Sequence, residues 1–195
     1  MNFVFFATLF LTLGFNAYSA EAKAQSPTES RKAKPSVSAF KVEGGLTMAV
    51  GSIAIPYCQD AIWQVLTDYE HLSQFIEEMD SSGVLADSGN AKIIYQAGTG
   101  SFLFFRRHLY VKLMVQEFFP DSISFYQLHG PFKDYYGYWH LTKDETTGVT
   151  TTQCIVVAKP DFFVPGFIYR LVISKNYRKI LTDVLTEVER RVKHP

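Results

Sequence analysis

The sequence predicts an α+β fold in which a curved, seven-stranded antiparallel sheet wraps around one long C-terminal helix, with two short helices after the first strand. Three observations carry the prediction. From Val84 to Lys159 the chain is a series of strand-like runs, punctuated by turn signals at Asp87–Asn90, Pro120–Ser122, Gly130–Pro131 and Asp144–Gly148. Beyond Pro160 and Pro165, apolar residues recur at three- and four-residue steps (Ile173, Tyr177, Ile180, Leu181, Val184, Val188, Val192), the mark of a one-sided helix. Between the first strand and the meander lie two short apolar patterns at helical spacing.

Taken from the N-terminus, residues 1–22 read as an export signal. Phe3 to Phe15 is an apolar run interrupted only by Thr8, Thr12 and Gly14, shorter than the roughly 20 residues a membrane span needs. Small residues then alternate through Ala17, Ser19, Ala20, Ala22 and Ala24, offering several A-x-A-like cleavage sites. The run has no Lys or Arg before it, so an uncleaved anchor is the alternative. Export is expected to lead to a bacterial periplasm, or to the medium, since the chain has few cysteines and no N-x-[ST] sequon. Residues 23–38, rich in Ala, Ser, Lys and Pro without apolar period, read as a flexible linker. Residues 39–195 read as one domain.

Within that domain an extended stretch beginning near Phe40 runs through Met48, Val50, Ile53 and Ile55 and stops at Pro56, which cannot donate to a ladder. Asp60 opens a short helix carrying Ile62, Trp63, Val65 and Leu66, and a second helical piece spans Tyr69 to Phe75. In the meander, Leu109, Val111, Leu113 and Val115 alternate with Tyr110, Lys112, Met114 and Gln116, so one face is buried and the other wet. The start of the last helix, Phe167 to Ile173, is apolar nearly all round, which suits a position beside a cavity mouth or a membrane.

Composition narrows the function classes. Nineteen basic residues balance nineteen acidic ones, and the single basic cluster, Arg106-Arg107-His108, is too small to supply the field that nucleic acid requires. Two cysteines without C-x-x-C make no structural zinc site, so no metal is expected; whether Cys58 and Cys154 pair stays open. Seventeen Phe and eleven Tyr exceed what a small core needs and favour a lined cavity.

His129 and His140 sit on neighbouring strands and suit a general base beside a carboxylate such as Asp134, but alternation puts His140 on the opposite face from Trp139. His129 shares a parity with Phe125 and has no positioned partner. Cys58 precedes a helix start, where a thiol can be activated, yet a turn thiol without a nearby His is ordinarily inert. Ser101, Ser122 and Ser124 lack a G-x-S-x-G frame, and Gly98-Thr99-Gly100 lacks the rest of a phosphate loop. No catalytic set emerges, and no cofactor is implied.

Strand parity, the helical stripe and position near the mouth select Tyr95, Phe104, Phe125, Trp139, Val156, Phe163, Phe167, Ile173 and Tyr177 as ligand-binding candidates. Arg106 and Arg107, following Phe102–Phe105, suit a cavity mouth that grips the acidic end of an amphiphile or touches lipid head groups in a transient membrane contact. The expected partner is a hydrophobic or amphipathic small molecule or lipid; the oligomeric state is left open.

Particular residues also carry a resemblance. Ile55-Pro56 leading into Trp63-Gln64-Val65-Leu66-Thr67-Asp68-Tyr69 and then Phe75-Ile76 resembles the opening of the START-like (SRPBCC, helix-grip) superfamily, in particular its polyketide cyclase/dehydrase and coenzyme-Q-binding branch. Gln96, Phe102–Phe105, Ile123-Ser124-Phe125, Gly130-Pro131-Phe132 and Gly137–Leu141 follow in the same order, over about residues 40 to 193. The resemblance implies a helix-grip fold. For function it implies non-catalytic binding or transport of a hydrophobic molecule in an internal cavity, a cyclase/dehydratase-like enzyme using the same pocket, or an interaction module whose cavity has collapsed.

Overall fold

Two glycines set the start of the fold. Gly44 and Gly45 adopt φ of 70° and 76°, in the left-handed region that side chains with a Cβ avoid, and reverse the chain through a 3-10 turn at Glu43–Gly45. The reversal splits the predicted first strand in two: β1 (Ser36–Lys41) folds back antiparallel on β2 (Thr47–Ile55), from Ser36 opposite Ser52 to Lys41 opposite Thr47. Among the described residues the sheet therefore has eight strands, not seven, and the linker expected to reach residue 38 gives way to strand at Ser36. This computed structural model describes residues 33–102 and 105–194, the side chains of residues 100–107 excepted.

After Pro56 the chain enters α1 (Gln59–Leu66), which buries Ile62, Trp63, Val65 and Leu66, and then α2 (Leu72–Phe75). The meander follows as β3 (Met79–Asp87), β4 (Ala91–Phe102), β5 (Phe105–Phe118), β6 (Ser122–His129), β7 (Phe132–Lys143) and β8 (Thr150–Pro160). The turns lie where the polar clusters predict them. At one, Asp144 Oδ1 accepts from the amide of Thr146 at 2.8 Å and locks the β7–β8 reversal.

All neighbours are antiparallel, in the order β1-β2-β8-β7-β6-β5-β4-β3, so β8 returns to pair with β2. The register slips between Met79 and Ser81, Val84 and Ala86, Lys112 and Leu113, and Phe132 and Asp134. Such irregularities add local twist and bend the strands, curling the sheet around its concave face.

That face receives α3 (Gly166–Lys193). Its inward stripe of Tyr169, Ile173, Tyr177, Leu181, Val184 and Val188 repeats at three- and four-residue steps, so all six side chains are buried. Gly51 on β2 lets the helix approach closely, because a Cβ there would lie 2.9 Å from Cδ1 of Leu181. Each fully buried large apolar side chain contributes on the order of 1.5–3 kcal/mol.

The far end of α3 is fixed by charge. Glu187, itself buried, accepts from Nε and Nη2 of Arg190 and from Nε of Arg191, each at 2.7 Å. Arg191 also donates through Nη2 to Asp68 at 2.7 Å, tying the helix to the segment between α1 and α2. Among the described residues no helix is long and apolar enough to cross a membrane.

Candidate ligand cavity

Between the curled sheet and α3 the space is incompletely filled, and two adjoining chambers result. The inner chamber, about 110 Å³, lies between α1, the concave strands and α3; Ile94, Leu113, Val115, Ile123, Trp139 and Val184 are among its walls. The outer chamber, about 190 Å³, is bounded by the base of the β4–β5 hairpin at Gly98, Thr99 and Leu109, by Pro131 and Phe132, and by Asn176, Lys179 and Asp183 of α3. Ile76, Met79, Gln96, Tyr135 and Ile180 line both chambers and form the waist between them.

Gly137 makes room for this arrangement. A Cβ at that position would collide with the carbonyl of Ile155 on β8 and lie 2.9 Å from Cζ of Phe125, so only glycine lets the Phe125 ring lie across β7. Phe125, Tyr135 and Phe132 then form a run of rings, with centroids 5.8 Å and 4.8 Å apart.

The inner walls carry few polar atoms. At the waist the hydroxyls of Tyr135 and Tyr177 are 3.1 Å apart. Burial pushes the Tyr135 phenol up to about 12, against the lowering effect of its bond to Tyr177, and burial likewise raises Tyr177 well above its ordinary value, so both remain neutral. One shared proton joins them, which leaves one O–H donor and free lone pairs for a third group. At the α1 side the buried Tyr69 hydroxyl has no hydrogen-bond partner among the described residues. Its pKa is raised by burial first and then by the nearby Glu117 carboxylate, which also faces Lys92 Nζ at 3.9 Å. Gln96 adds one amide.

Of the nine side chains expected to line the cavity, Phe125, Trp139 and Tyr177 do so. Val156 and Ile173 are buried in solid core with Ala49, Cys154 and Tyr169, lining neither chamber. Tyr95 stands on the convex face, its ring stacked on Tyr110 at 6.0 Å, because Ile94 and Gln96 take the inward positions of β4. Phe163 and Phe167 point to solvent at 93% and 62% exposure. Phe104 lies outside the described residues, as do the side chains of Arg106 and Arg107, whose backbones pair with Ser101 and Gly100 at the tip of the β4–β5 hairpin. The aromatic surplus is thus largely external: Tyr110, Tyr126, Tyr136 and Tyr138 are exposed as well.

Tyr135 is the main residue that sequence reasoning missed, although its parity with Trp139 marks it as inward. His140 is exposed, as alternation predicts. His129 is exposed too, because the slip beside Lys112 and Leu113 turns it away from the face that Phe125 occupies. Cys58 is exposed and Cys154 buried, and neither is in a disulfide.

A curled antiparallel sheet gripping a C-terminal helix around an apolar cavity defines a helix-grip ligand-binding domain. The chain belongs to the family described as polyketide cyclase/dehydrase and lipid transport, whose model matches residues 55–185. Similar solved structures include a STAR-related lipid transfer protein from Xanthomonas axonopodis, 14% identical, covering 80% of this chain and 93% of that one with a TM-score of 0.66. The Zhui aromatase/cyclase from Streptomyces sp. R1128 is 14% identical with a TM-score of 0.64, covering 75% of this chain and 96% of that one. Human StAR-related lipid transfer protein 5 is 9% identical, with a TM-score of 0.63 and coverage of 82% and 84%. Among curated proteins none matches the sequence. At these identities the likeness speaks for the START-like fold.

Proposed function

We propose that this domain binds and carries a hydrophobic or amphipathic small molecule or lipid by burying it, without chemical conversion. The observation that carries the reading is the make-up of the inner chamber: among the described residues its walls include no Asp, Glu, His, Lys, Arg, Cys or Ser. The side chains with polar atoms in its walls are the phenols of Tyr69, Tyr135 and Tyr177, the Gln96 amide and the Trp139 indole, groups that orient a ligand and do not ionise near neutral pH. An apolar chain or ring system occupies the inner chamber, a hydroxyl or carbonyl meets the Tyr135–Tyr177 pair, and any charged end faces the outer chamber. Arg106 and Arg107, at the hairpin above that chamber, are proposed to meet an acidic end.

The reading extends to processing and place. Residues 1–22 are removed as a signal and the domain acts outside the cytoplasm, in a bacterial periplasm, a proposal supported by the apolar run from Phe3 to Phe15. An intact mass that still contains that run, measured on protein recovered from its cells, overturns it.

Native mass spectrometry of the protein from its own host tests the binding function. A retained apolar molecule, released on denaturation and unchanged in structure, is expected; a protein that is always empty, and is not stabilised by any lipid extract, overturns it. The cyclase/dehydratase-like alternative has one observation in its favour, since a pair of bonded phenols can pass a proton. Turnover of a polyketide chain that is lost in Tyr135→Phe and Tyr177→Phe decides for the enzyme. A collapsed interaction module is disfavoured by the volume of the two chambers.

A further inference from the structure

Three exposed apolar side chains lie within nine residues at the head of α3. Phe167 and Leu171 are one turn apart on the helix, Phe163 precedes it by three residues, and the three are 62%, 69% and 93% exposed. The same face continues through Lys175 and Arg178, both exposed, with Arg170 at its flank. None of these three bases makes a salt bridge with a described residue. From Gly166 to Thr182 the helix holds Arg170, Lys175, Arg178 and Lys179 and no acid; its first carboxylate is Asp183. Three large apolar groups held in water with cations beside them are a costly surface for the fold to keep, and neither the core nor the cavity uses them.

We propose that this stripe docks the protein on an anionic lipid bilayer, with Phe163, Phe167 and Leu171 entering the acyl boundary and Arg170, Lys175 and Arg178 meeting the phosphates. Apolar insertion combined with basic attraction is the chemistry of an interfacial helix. The charge of the stripe selects an anionic membrane over a neutral one. The position of the stripe is also apt: the amide of Asp161, just before it, donates to the carbonyl of Pro131 at 3.0 Å, and Pro131 lines the outer chamber. That bond places the start of the stripe beside a segment that borders the outer chamber. The surface lies outside the cavity, so the proposal stands or falls apart from the identity of any cargo.

Amide hydrogen exchange on the protein as recovered from its cells tests it, using vesicles of phosphatidylglycerol with phosphatidylcholine against phosphatidylcholine alone. The amides of Gly166, Phe167 and Ile168 have no intrahelical partner and exchange readily, whereas that of Tyr169 already donates to Pro165, so contact at the head of the helix is directly visible. Exchange there is expected to slow at least tenfold with anionic vesicles and little with neutral ones. The triple variant Phe163→Ser, Phe167→Ser, Leu171→Ser should lose the protection while its melting temperature stays unchanged. Replacing Arg170, Lys175 and Arg178 by Gln should weaken vesicle affinity by about fivefold per charge, on the order of a hundredfold in all. Unchanged exchange over 163–171 in the presence of anionic vesicles overturns the proposal, whatever the rest of the chain does. Protection that grows with protein concentration in the absence of lipid also overturns it, assigning the stripe to a second copy.

Discussion

The hydroxyl of Tyr135, on β7, lies 3.1 Å from that of Tyr177, on α3, so the sheet and its helix are joined by a hydrogen bond at the waist of the cavity. The bond links the two elements whose separation defines the empty space. Tyr135→Phe and Tyr177→Phe should be non-additive, with a coupling energy of about 0.5–1.5 kcal/mol in a double-mutant cycle of urea unfolding. A coupling near zero would mean that the two phenols act independently. Phenolate absorbance from Tyr135 should appear only toward its raised value of about 12.

The same substitution should act oppositely at two valines. Val115 faces the inner chamber and Val156 faces solid core. Val115→Phe fills empty volume and should preserve stability while excluding bound ligand from the native mass spectrum. Val156→Phe overpacks and should cost about 1–3 kcal/mol in unfolding free energy.

Gly137 admits no side chain at normal contact distance. Gly137→Ala should push either the Ile155 carbonyl or the Phe125 ring aside and cost roughly 1–3 kcal/mol. For a chain of this size each kcal/mol shifts the melting temperature by about 2–4 °C, so the effect is readable by calorimetry.

Acid should loosen the far end of α3. The Arg190 guanidinium bonded to Glu187, aided by Arg191, holds its carboxyl down to about 2 from the ordinary 4.5, against the opposing effect of burial. Asp68 is lowered as well: bonds to His71 and Arg191 outweigh the desolvation that would raise it. A folded pKa below the unfolded one stabilises the fold above pH 4.5, and that stability is lost as pH falls through the folded value. Glu187 contributes on the order of 3 kcal/mol of it. Glu187→Gln should flatten the pH dependence of unfolding between about pH 2 and 5. A slope equal to wild type in that range would remove the residue from the account.

The architecture was legible where periodicity has one physical meaning. Pro165 and the stripe through Tyr177 and Val188 locate α3, and polar clusters such as Asp144–Gly148 locate the reversals, because both signals are local. The extra strand was not, since Gly44-Gly45 sits inside an otherwise extended stretch and only the backbone reveals the left-handed pair. The site was half legible. Alternation separates the faces of β4 but does not say which looks inward, and the bulk of Tyr95 favoured the wrong one over Ile94 and Gln96. A register slip likewise overturned the parity of His129. Phe163 and Phe167 carry apolarity without any signal of what they face, which depends on how α3 is rotated over the sheet.

Trp139 stands in the wall of the inner chamber, whereas Trp63, the only other tryptophan, is buried edge-on to Phe119 at 5.3 Å and borders neither chamber. The molecule is thereby equipped with its own optical gauge: filling the space beside Trp139 changes the polarity around one indole and leaves the other as an internal reference. Occupancy then becomes readable from intrinsic emission alone, with no dye competing for the room it is meant to report.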